Sequence, residues 1–306
     1  MGTALPCSWM GDAEQQSTNA HTESPYFSVI VPTWNRAALL PECLESVQAQ
    51  ERVPGGHEIV VVDDGSTDAT ADVVNAAATR VPDPTLRYVA VPHGGLNKAR
   101  NAGIRAARGE IVCFVDDDEM PPPEYLERVR RLLDEQPGAA GVGGPVLQRG
   151  RARARTCAQH SIGDSRVDME SAGVAPRLLG GNMAIRAQAF REVGLFDDDL
   201  SGRNDEVEWF LRSGLTFYYD PELMIWHRRD HLGLFALCLV GFRQGRSIPV
   251  WARKTGRRYR PRVKTIGRSA FHGLRHRCAR GWLRAARETG AAVEWARLGV
   301  VRRVTR

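Results

Sequence analysis

Four acidic side chains follow directly after an apolar segment in EIVCFVDDDEMPPPEYL, residues 110–126. They are Asp116, Asp117, Asp118 and Glu119. Neighbouring carboxylates repel one another, so the cluster must either face water or share a bound cation. The segment is therefore either a solvated acidic turn or a cation site that binds a phosphorylated substrate.

Three other polar segments also follow apolar runs, namely PTWN (32–35), DDGS (63–66) and PHGG (92–95). If the runs are parallel strands, their carboxyl ends meet at one edge of a sheet, where such sheets bind ligands. A plain surface turn would not need an apolar strand to bring its charges to that edge. The arrangement favours the cation site, with Glu119 interpreted as an ordinary surface charge.

The elements that would position these groups alternate between apolar runs and helical patterns. Strands are predicted at 26–35, 57–62, 85–91 and 110–115, and helices at 36–50, 71–80, 94–109 and 122–138. Continuous apolar strands that alternate with helices are typical of a parallel sheet covered on both faces. We therefore expect an α/β protein with a Rossmann-like, mostly parallel sheet flanked by helices.

The pattern changes after residue 138. We expect one strand at 139–147, an irregular and mobile polar loop at 149–176, and a strand, turn and short helix at 177–200. A helix at 204–214 and a single strand at 215–229 follow.

Composition limits the class of protein. The chain has 306 residues, of which 42% are hydrophobic and 25% charged, as in ordinary globular proteins. Residues 1–25 are polar, show no secretory signal and predict a disordered leader. The longest apolar run, 232–242, is about half the length that a membrane-spanning helix needs. The 6 cysteines are scattered without a C-x-x-C pair, which favours reduced thiols and a cytoplasmic location.

The charge is divided unevenly along the chain. Residues 233–306 contain 19 Lys and Arg but only two acidic residues, so we expect a basic helical C-terminal region. The favoured role is binding of an anionic membrane surface through residues 243–287, on the inner face of the plasma membrane. A helical cap on the acidic preceding region is the alternative. No nucleic acid partner is expected, because nothing else in the sequence indicates one.

Seven segments in this order resemble family 2 glycosyltransferases, which have the GT-A fold. They are SVIVPTWNR, EIVVVDDGSTDAT, GLNKARNAG, GEIVCFVDDDEMPPPEYL, GGNMAIRAQAFREVGLFDDDL, NDEVEWFLR and WHRR, from about residue 27 to 230. The order and spacing carry the resemblance, since no segment is specific by itself. The resemblance implies a nucleotide-sugar-binding half at 26–138 and an acceptor-binding half at 139–232.

The D-x-D motif of the family corresponds to Asp116 and Asp118. The resemblance implies that Asp118 and Asp116 hold Mn²⁺ or Mg²⁺ against the diphosphate of the donor, and that Asp117 also contacts the donor. His227 corresponds to an extra metal ligand in some of these enzymes, although a packed or surface histidine is the alternative. Carboxylate oxygens at a strand end suit such hard cations.

The resemblance also places Pro32, Thr33 and Asp64 at the nucleotide, with the Asp64 carboxylate accepting a hydrogen bond from the base. The alternative for Asp64 is a turn that caps the next helix. Lys98 and Arg100 lie near a predicted helix start, where two cations and backbone N–H groups favour a diphosphate. A solvated helical face is the alternative for both.

Gly181 and Asn182 lie in the segment that borders donor sugar and acceptor in the family, and Asn182 is a candidate hydroxyl contact. The E-D motif of the family corresponds to Asp205-Glu206, in reverse order. Position by position the catalytic base falls on Glu206, but the reversal leaves Asp205 open as well. An acidic first turn that favours the helix dipole is the alternative.

These parts imply a metal-dependent, inverting glycosyltransferase that adds one sugar in cell-surface glycan or glycolipid synthesis. Its partners would be a nucleoside-diphosphate sugar and a glycan or lipid-linked acceptor. A processive synthase is less favoured, because Q-x-x-R-W is missing. A nucleotidyltransferase that makes nucleotide-sugars, or an inactive nucleotide-binding scaffold, remains as the alternative.

Overall fold

The computed structural model describes residues 25–149, 172–175, 177–200, 205–228, 234–254, 256, 260, 263–275 and 279–304. The expected leader, apart from its last residue, and most of the expected polar loop lie outside these ranges. The described residues form an eight-stranded sheet with helices on both faces, and a separate three-stranded sheet. The prediction of an α/β fold with a mostly parallel sheet is confirmed.

The large sheet contains the central strands of the fold. Its strands are β1 (Phe27–Thr33), β2 (His57–Asp63), β3 (Thr85–Ala90), β4 (Ile111–Phe114), β6 (Gly141–Gly143), β8 (Gly173–Ala175), β9 (Met183–Arg186) and β10 (Phe217–Tyr219). They lie in the order β3-β2-β1-β4-β9-β6-β10-β8. β9 and β8 run antiparallel to their neighbours, and the remaining neighbours pair in parallel.

The small sheet has β11 (Ile225–Arg228) between β5 (Glu119–Met120) and β7 (Val146–Arg149). Two predicted strands were therefore wrong. The segment 139–147 divides into β6 and β7, and 215–229 divides into β10 and β11, with one part in each sheet. The first division lies at Gly144, where an added β-carbon would lie 2.0 Å from the Leu223 carbonyl oxygen. This close approach lets the chain cross from one sheet to the other.

Alternate residues of the central strands face opposite helical layers. The helices are α1 (Leu40–Gln48), α2 (Thr70–Arg80), α3 (Leu96–Ala106), α4 (Tyr125–Glu135), α5 (Ala187–Val193) and α6 (Asp205–Ser213). Val29 and Val31 of β1 pack with α1, α2 and α4, whereas Ile30 packs with α3, α5 and α6. Strands covered on both faces must be apolar throughout, which explains the continuous apolar runs in the sequence.

An aromatic cluster fixes the position of α6. Its rings belong to Phe114, Phe190, Phe196, Trp209, Phe210 and Phe217. Trp209 is fully buried and donates from Nε1 to the Gly194 carbonyl oxygen at 2.7 Å. The start of α6, which carries Glu206, is thus fixed one turn away from a buried anchor.

Three helices, α7 (Leu234–Lys254), α8 (Val263–Arg275) and α9 (Ala279–Val304), form the C-terminal region. The backbones of α7 and α9 touch, since a β-carbon on Gly245 would lie 1.9 Å from the Arg287 carbonyl oxygen. Lys254 Nζ pairs with the carboxylates of Asp197 at 2.6 Å and Asp199 at 2.9 Å, which joins α7 to the preceding region. None of the described helices combines the length and the apolar character that a bilayer crossing requires.

Candidate active site

Asp116, Asp117 and Asp118 follow β4 and form what we call the carboxylate rim. Arg36 Nη1 donates to Asp117 Oδ1 at 2.6 Å and to Asp118 Oδ2 at 2.8 Å. Thr33 Oγ1 donates to Asp117 Oδ2 at 2.7 Å. Burial raises the pKa of Asp117 to about 6, and Arg36 opposes that rise. The guanidinium thus stabilises two adjacent carboxylates that would otherwise repel each other.

Arg100 supports the other end of the carboxylate rim. It is 2% exposed, and its Nη2 lies 3.8 Å from Asp116 Oδ1 and 3.3 Å from the Gly180 carbonyl oxygen. Burial raises the pKa of Asp116, and the charge of Arg100 opposes this rise. Arg100 is therefore a buried positive charge next to Asp116.

Glu206, in the first turn of α6, approaches the same group. A β-carbon added to Gly180 would lie 2.8 Å from Arg100 Nη2 and 3.6 Å from Glu206 Cδ. Gly180 therefore lies between the guanidinium and a second, half-buried carboxyl group. The side chain of Asp205 lies outside the described residues, so the structure places only Glu206 of the two candidate bases.

Glu119 is not a surface charge, and that expectation was wrong. It is 2% exposed, and its Oε2 accepts a hydrogen bond from the Asp116 backbone N–H at 3.0 Å. Burial and the charges of Asp116 and Asp118 raise its pKa. A β-carbon on Gly181 would lie 2.3 Å from both Glu119 carboxylate oxygens, so Gly181 packs on this buried acid.

The small sheet brings His227 to the carboxylate rim. His227 of β11 pairs with Glu119 of β5, and its Nε2 lies 3.5 Å from Asp118 Oδ1. The side chain is 16% exposed. A shift of one residue in this pairing would turn the imidazole to the other face of the sheet. The register of two short strands therefore sets the separation of His227 and Asp118.

Asp64 organises the loop after β3. Its Oδ1 accepts from the Gly94 backbone N–H and its Oδ2 from the Gly95 backbone N–H, both at 2.8 Å. His93 Nδ1 lies 2.9 Å from the same Oδ2, and the His93 ring stacks on Trp34 with a centroid distance of 4.3 Å. Asp64 thus shapes a stacked aromatic pair at the strand ends and uses most of its acceptor capacity to do so.

One cavity of about 850 Å³ joins these groups. The carboxylate rim and His227 line one part of it. Residues at the ends of β1 to β3 line a second part, and they are Pro32, Thr33, Trp34, Asp64 and His93. The expected convergence of the strand-end segments on one edge is therefore what the structure shows.

The C-terminal helices supply a third part of the cavity, which we call the helical wall. It consists of Arg246, Ser247 and Val250 from α7 and Glu294 and Arg297 from α9. The packing of these helices on the preceding region agrees with the alternative of a helical cap.

Lys98, Arg100, Gly181, Asn182 and Glu206 are not among the residues that line the cavity. Lys98 is exposed on α3. Asn182 is fully buried, and its Nδ2 donates to the carbonyl oxygens of Leu223 at 2.7 Å and Pro145 at 3.2 Å. Its Oδ1 accepts from Tyr125 Oη at 3.1 Å. The expectation that Asn182 contacts an acceptor hydroxyl is corrected, because its amide joins the two sheets instead.

Several lining residues were not predicted from the sequence, notably Arg36, His93, Arg246 and Arg297. Arg36 directly follows PTWN, so its position after the first strand was the available signal. His93 lies within PHGG, one of the segments already placed at the strand ends. Arg246 and Arg297 carry no such signal, because many arginines in residues 233–306 share the same surroundings in the sequence.

The residues present fit a divalent cation only as a partial ligand set. Asp118 Oδ1 faces His227 Nε2, while Arg36 holds Asp118 Oδ2. No group of three His, Cys, Asp or Glu side chains within the described ranges forms a ready-made metal site. Mg²⁺ is commonly bound by one or two carboxylates together with substrate phosphates, and this donor set suits that pattern.

Comparisons with known proteins identify the family of the chain. The sequence profile of glycosyl transferase family 2 matches residues 28–194. The chain belongs to this family. It is similar to a mannosyltransferase, PcManGT from Pyrobaculum calidifontis, solved in complex with GDP-Man and Mn²⁺. That likeness has a TM-score of 0.59 at 23% identity and covers 90% of this chain and 75% of the other, which confirms the GT-A fold.

Two curated relatives match parts of the chain. Glycosyltransferase AglE of Haloferax volcanii is 28% identical over 204 residues, which cover 64% of this chain and 65% of AglE. Putative glycosyltransferase EpsH of Bacillus subtilis is 34% identical over 114 residues, which cover 37% of this chain and 32% of EpsH. The chain thus spans about a third of one relative and slightly less than two thirds of the other.

The corrected role of Asn182 predicts a loss of stability. Asn182→Ala would leave the buried Leu223 carbonyl group and the buried Tyr125 hydroxyl without their hydrogen-bond partner, so we expect the free energy of unfolding to fall by about 2–4 kcal/mol. Denaturant unfolding measures this change, and Asn75→Ala on the exposed face of α2 serves as the control. Unchanged stability of the Asn182 variant would contradict the structural role.

Proposed function

We propose that the protein transfers one sugar from a nucleoside-diphosphate sugar to an acceptor hydroxyl, with inversion, in glycan or glycolipid synthesis. The observation that carries the proposal is a single cavity that joins the carboxylate rim and His227 to the strand-end loops. Family membership supports the reaction class, and the partial metal set supports a donor that brings its own phosphates.

In this proposal Asp118, Asp116 and His227 would hold Mn²⁺ or Mg²⁺, and the bound cation would supply positive charge beside the diphosphate of the donor. Arg36 keeps the Asp118 carboxylate oriented toward His227 by holding its other oxygen. Arg100 offsets part of the charge of Asp116 from below.

The nucleotide would lie along the strand-end part of the cavity, bordered by Pro32, Thr33 and the loop that Asp64 organises. Trp34 is 42% exposed and stacked on His93, so it offers an apolar face at the mouth of this region. Asp117 would contact the donor, and the hydrogen bond from Thr33 fixes the position of its carboxylate. Lys98 stays a candidate for longer-range attraction of the diphosphate.

The acceptor hydroxyl would lose its proton to Glu206 or Asp205 as it attacks. Glu206 is supported by its position across Gly180 from Arg100, whose other neighbour is Asp116. In the proposed direct displacement, the base and the leaving group would lie on opposite sides of the sugar.

The metal step predicts nucleotide binding that depends on Asp118. Asp118→Asn removes a negative charge that would hold the cation, so we expect the stabilisation of the protein by UDP or GDP with Mn²⁺ to be lost. A ligand at about 100 times its Kd stabilises the wild type by about 2.7 kcal/mol, which thermal unfolding detects. Asp134→Asn, at an exposed position of α4, is the matched control. A wild-type protein that no nucleoside diphosphate stabilises would overturn the proposed function.

The base step predicts a selective loss of turnover. Removing the general base, by Glu206→Gln or Asp205→Asn, should lower the rate of nucleoside diphosphate release from the donor by about 10²–10⁴-fold. Stabilisation by nucleoside diphosphate and Mn²⁺ should stay at the wild-type level in both variants. If both variants keep full turnover, neither residue is the base.

We also propose attachment to the cytoplasmic face of a membrane through residues 243–287. Apolar side chains stand exposed on these helices and beside them, such as Phe235 at 84% and Phe271 at 62%, among many arginines. Basic helices with exposed apolar residues bind anionic lipid surfaces. The protein should float with vesicles that contain phosphatidylserine at low salt and stay behind with neutral vesicles. Failure to float at low salt would rule out the attachment.

A further inference from the structure

The helical wall contains a charge cluster that the proposed reaction does not use. Glu294 has only 6% of its side chain exposed, and two arginines share it. Arg246 Nε donates to its Oε2 at 2.9 Å, and Arg297 Nη1 donates to its Oε1 at 3.1 Å. One carboxylate therefore holds two guanidinium groups, and the cluster keeps a net positive charge beside the cavity.

Both arginines keep donors for a ligand. Each guanidinium has five N–H donors, and the contact with Glu294 uses one of them. The side chains of Arg246 and Arg297 remain 46% and 66% exposed. A buried carboxylate that holds two half-exposed guanidinium groups presents a preorganised positive surface to the cavity.

Direct backbone contact between α7 and α9 fixes the cluster. Gly245, next to Arg246, packs against the Arg287 carbonyl group. Gly290 lies one turn before Glu294, and a β-carbon there would lie 2.0 Å from the Phe242 carbonyl oxygen. The close backbone contact fixes how the two helices pack, and it thereby sets the relative position of the two guanidinium groups.

The cluster belongs to the acceptor side of the site. α7 packs against α6, which carries Glu206, and Lys254 of α7 pairs with Asp197 and Asp199. Asp199 lines the cavity next to the helical wall. The nucleotide loops belong to β1–β3, so a donor placed there leaves the helical wall for the second substrate.

An acceptor with a negative charge would need such a cluster. The carboxylate rim repels an anionic acceptor. This repulsion weakens when the anionic group lies farther from the rim and next to positive charges. Two guanidinium forks match the several oxygens of a phosphate group better than a single ammonium would. The helical wall could therefore anchor a phosphate of the acceptor while its hydroxyl reaches the reaction centre.

We propose that Arg246 and Arg297, held by Glu294, form a subsite that binds a phosphate group of the acceptor. This inference rests on the proposed function, because it assigns the second substrate of the same cavity. The phosphate has two possible sources, a lipid headgroup or a soluble phosphorylated molecule, and their shared chemistry is what the cluster recognises. Glu294 is a positioning residue, since it acts through the two arginines.

The test measures binding of small phosphates to the full chain saturated with a nucleoside diphosphate and Mg²⁺. The probes are octyl phosphate, inorganic phosphate and, as a neutral control, octyl glucoside, each followed by titration calorimetry. We expect octyl phosphate to bind the wild type, and R246Q/R297Q to lower its affinity at least about tenfold, which corresponds to about 1.4 kcal/mol. Octyl glucoside should not distinguish the two proteins.

Matched variants separate the subsite from general charge. R105Q/R131Q removes two exposed arginines from α3 and α4, outside residues 243–287, and should leave octyl phosphate binding unchanged. R246K/R297K keeps Glu294 paired but lacks the forks, so it should fold like the wild type and bind the phosphate more weakly. Equal affinity for inorganic and octyl phosphate indicates a soluble phosphorylated acceptor, whereas tighter binding of octyl phosphate indicates a lipid.

Three results would overturn the inference. The first would be a wild type that does not bind octyl phosphate. The second would be an R246Q/R297Q variant that binds octyl phosphate as well as the wild type does. The third would be an R246Q/R297Q variant that also loses stabilisation by nucleoside diphosphate, because the arginines would then bind the donor. The proposed function fails in a different way, when no nucleoside diphosphate stabilises the wild type, and the two failures are therefore distinguishable.

Discussion

The hydrogen bonds from Arg36 to Asp117 and Asp118 are the interaction on which the site depends. Adjacent carboxylates at the end of a buried strand repel each other, and burial raises the pKa of Asp117. Arg36 from the first strand–helix connection and Arg100 from α3 reduce that cost from two directions. The negative charge of the carboxylate rim is thus kept at the sheet edge by two arginines from elsewhere in the chain.

Both halves of the chain contribute strands to the same two sheets. β9 of the second half pairs with β4 of the first, and β11 pairs with β5. These pairings bring His227 to Asp118 and place Gly180 between Arg100 and Glu206. Asn182 then ties the large sheet to the small one through two carbonyl groups. Candidate site residues from both halves are consequently held by the same two sheets.

The sequence predicted the features that local pattern controls. The strands β1 to β4 and their helices were recognisable because mainly apolar runs alternate with helical patterns in this part of the chain, and their polar ends were correctly placed together. The burial of Glu119 was not recognisable, because it depends on a two-residue strand paired with β11 over a hundred residues later. The splitting of 139–147 and 215–229 was missed for a related reason, since strands of three or four residues carry almost no periodicity. The arginines of the helical wall look like surface charges until the packing of α7 and α9 is known.

The pairing of β4 with β9 has a consequence for synthesis of the chain. The first four strands and their helices are complete about fifty residues before β9 leaves the ribosome. Until then the edge of β4 presents unpaired backbone groups in an apolar strand, which is the kind of edge that pairs with other chains. The nascent protein therefore passes through a stage that is prone to aggregation, and the same late pairing completes both the sheet and the site.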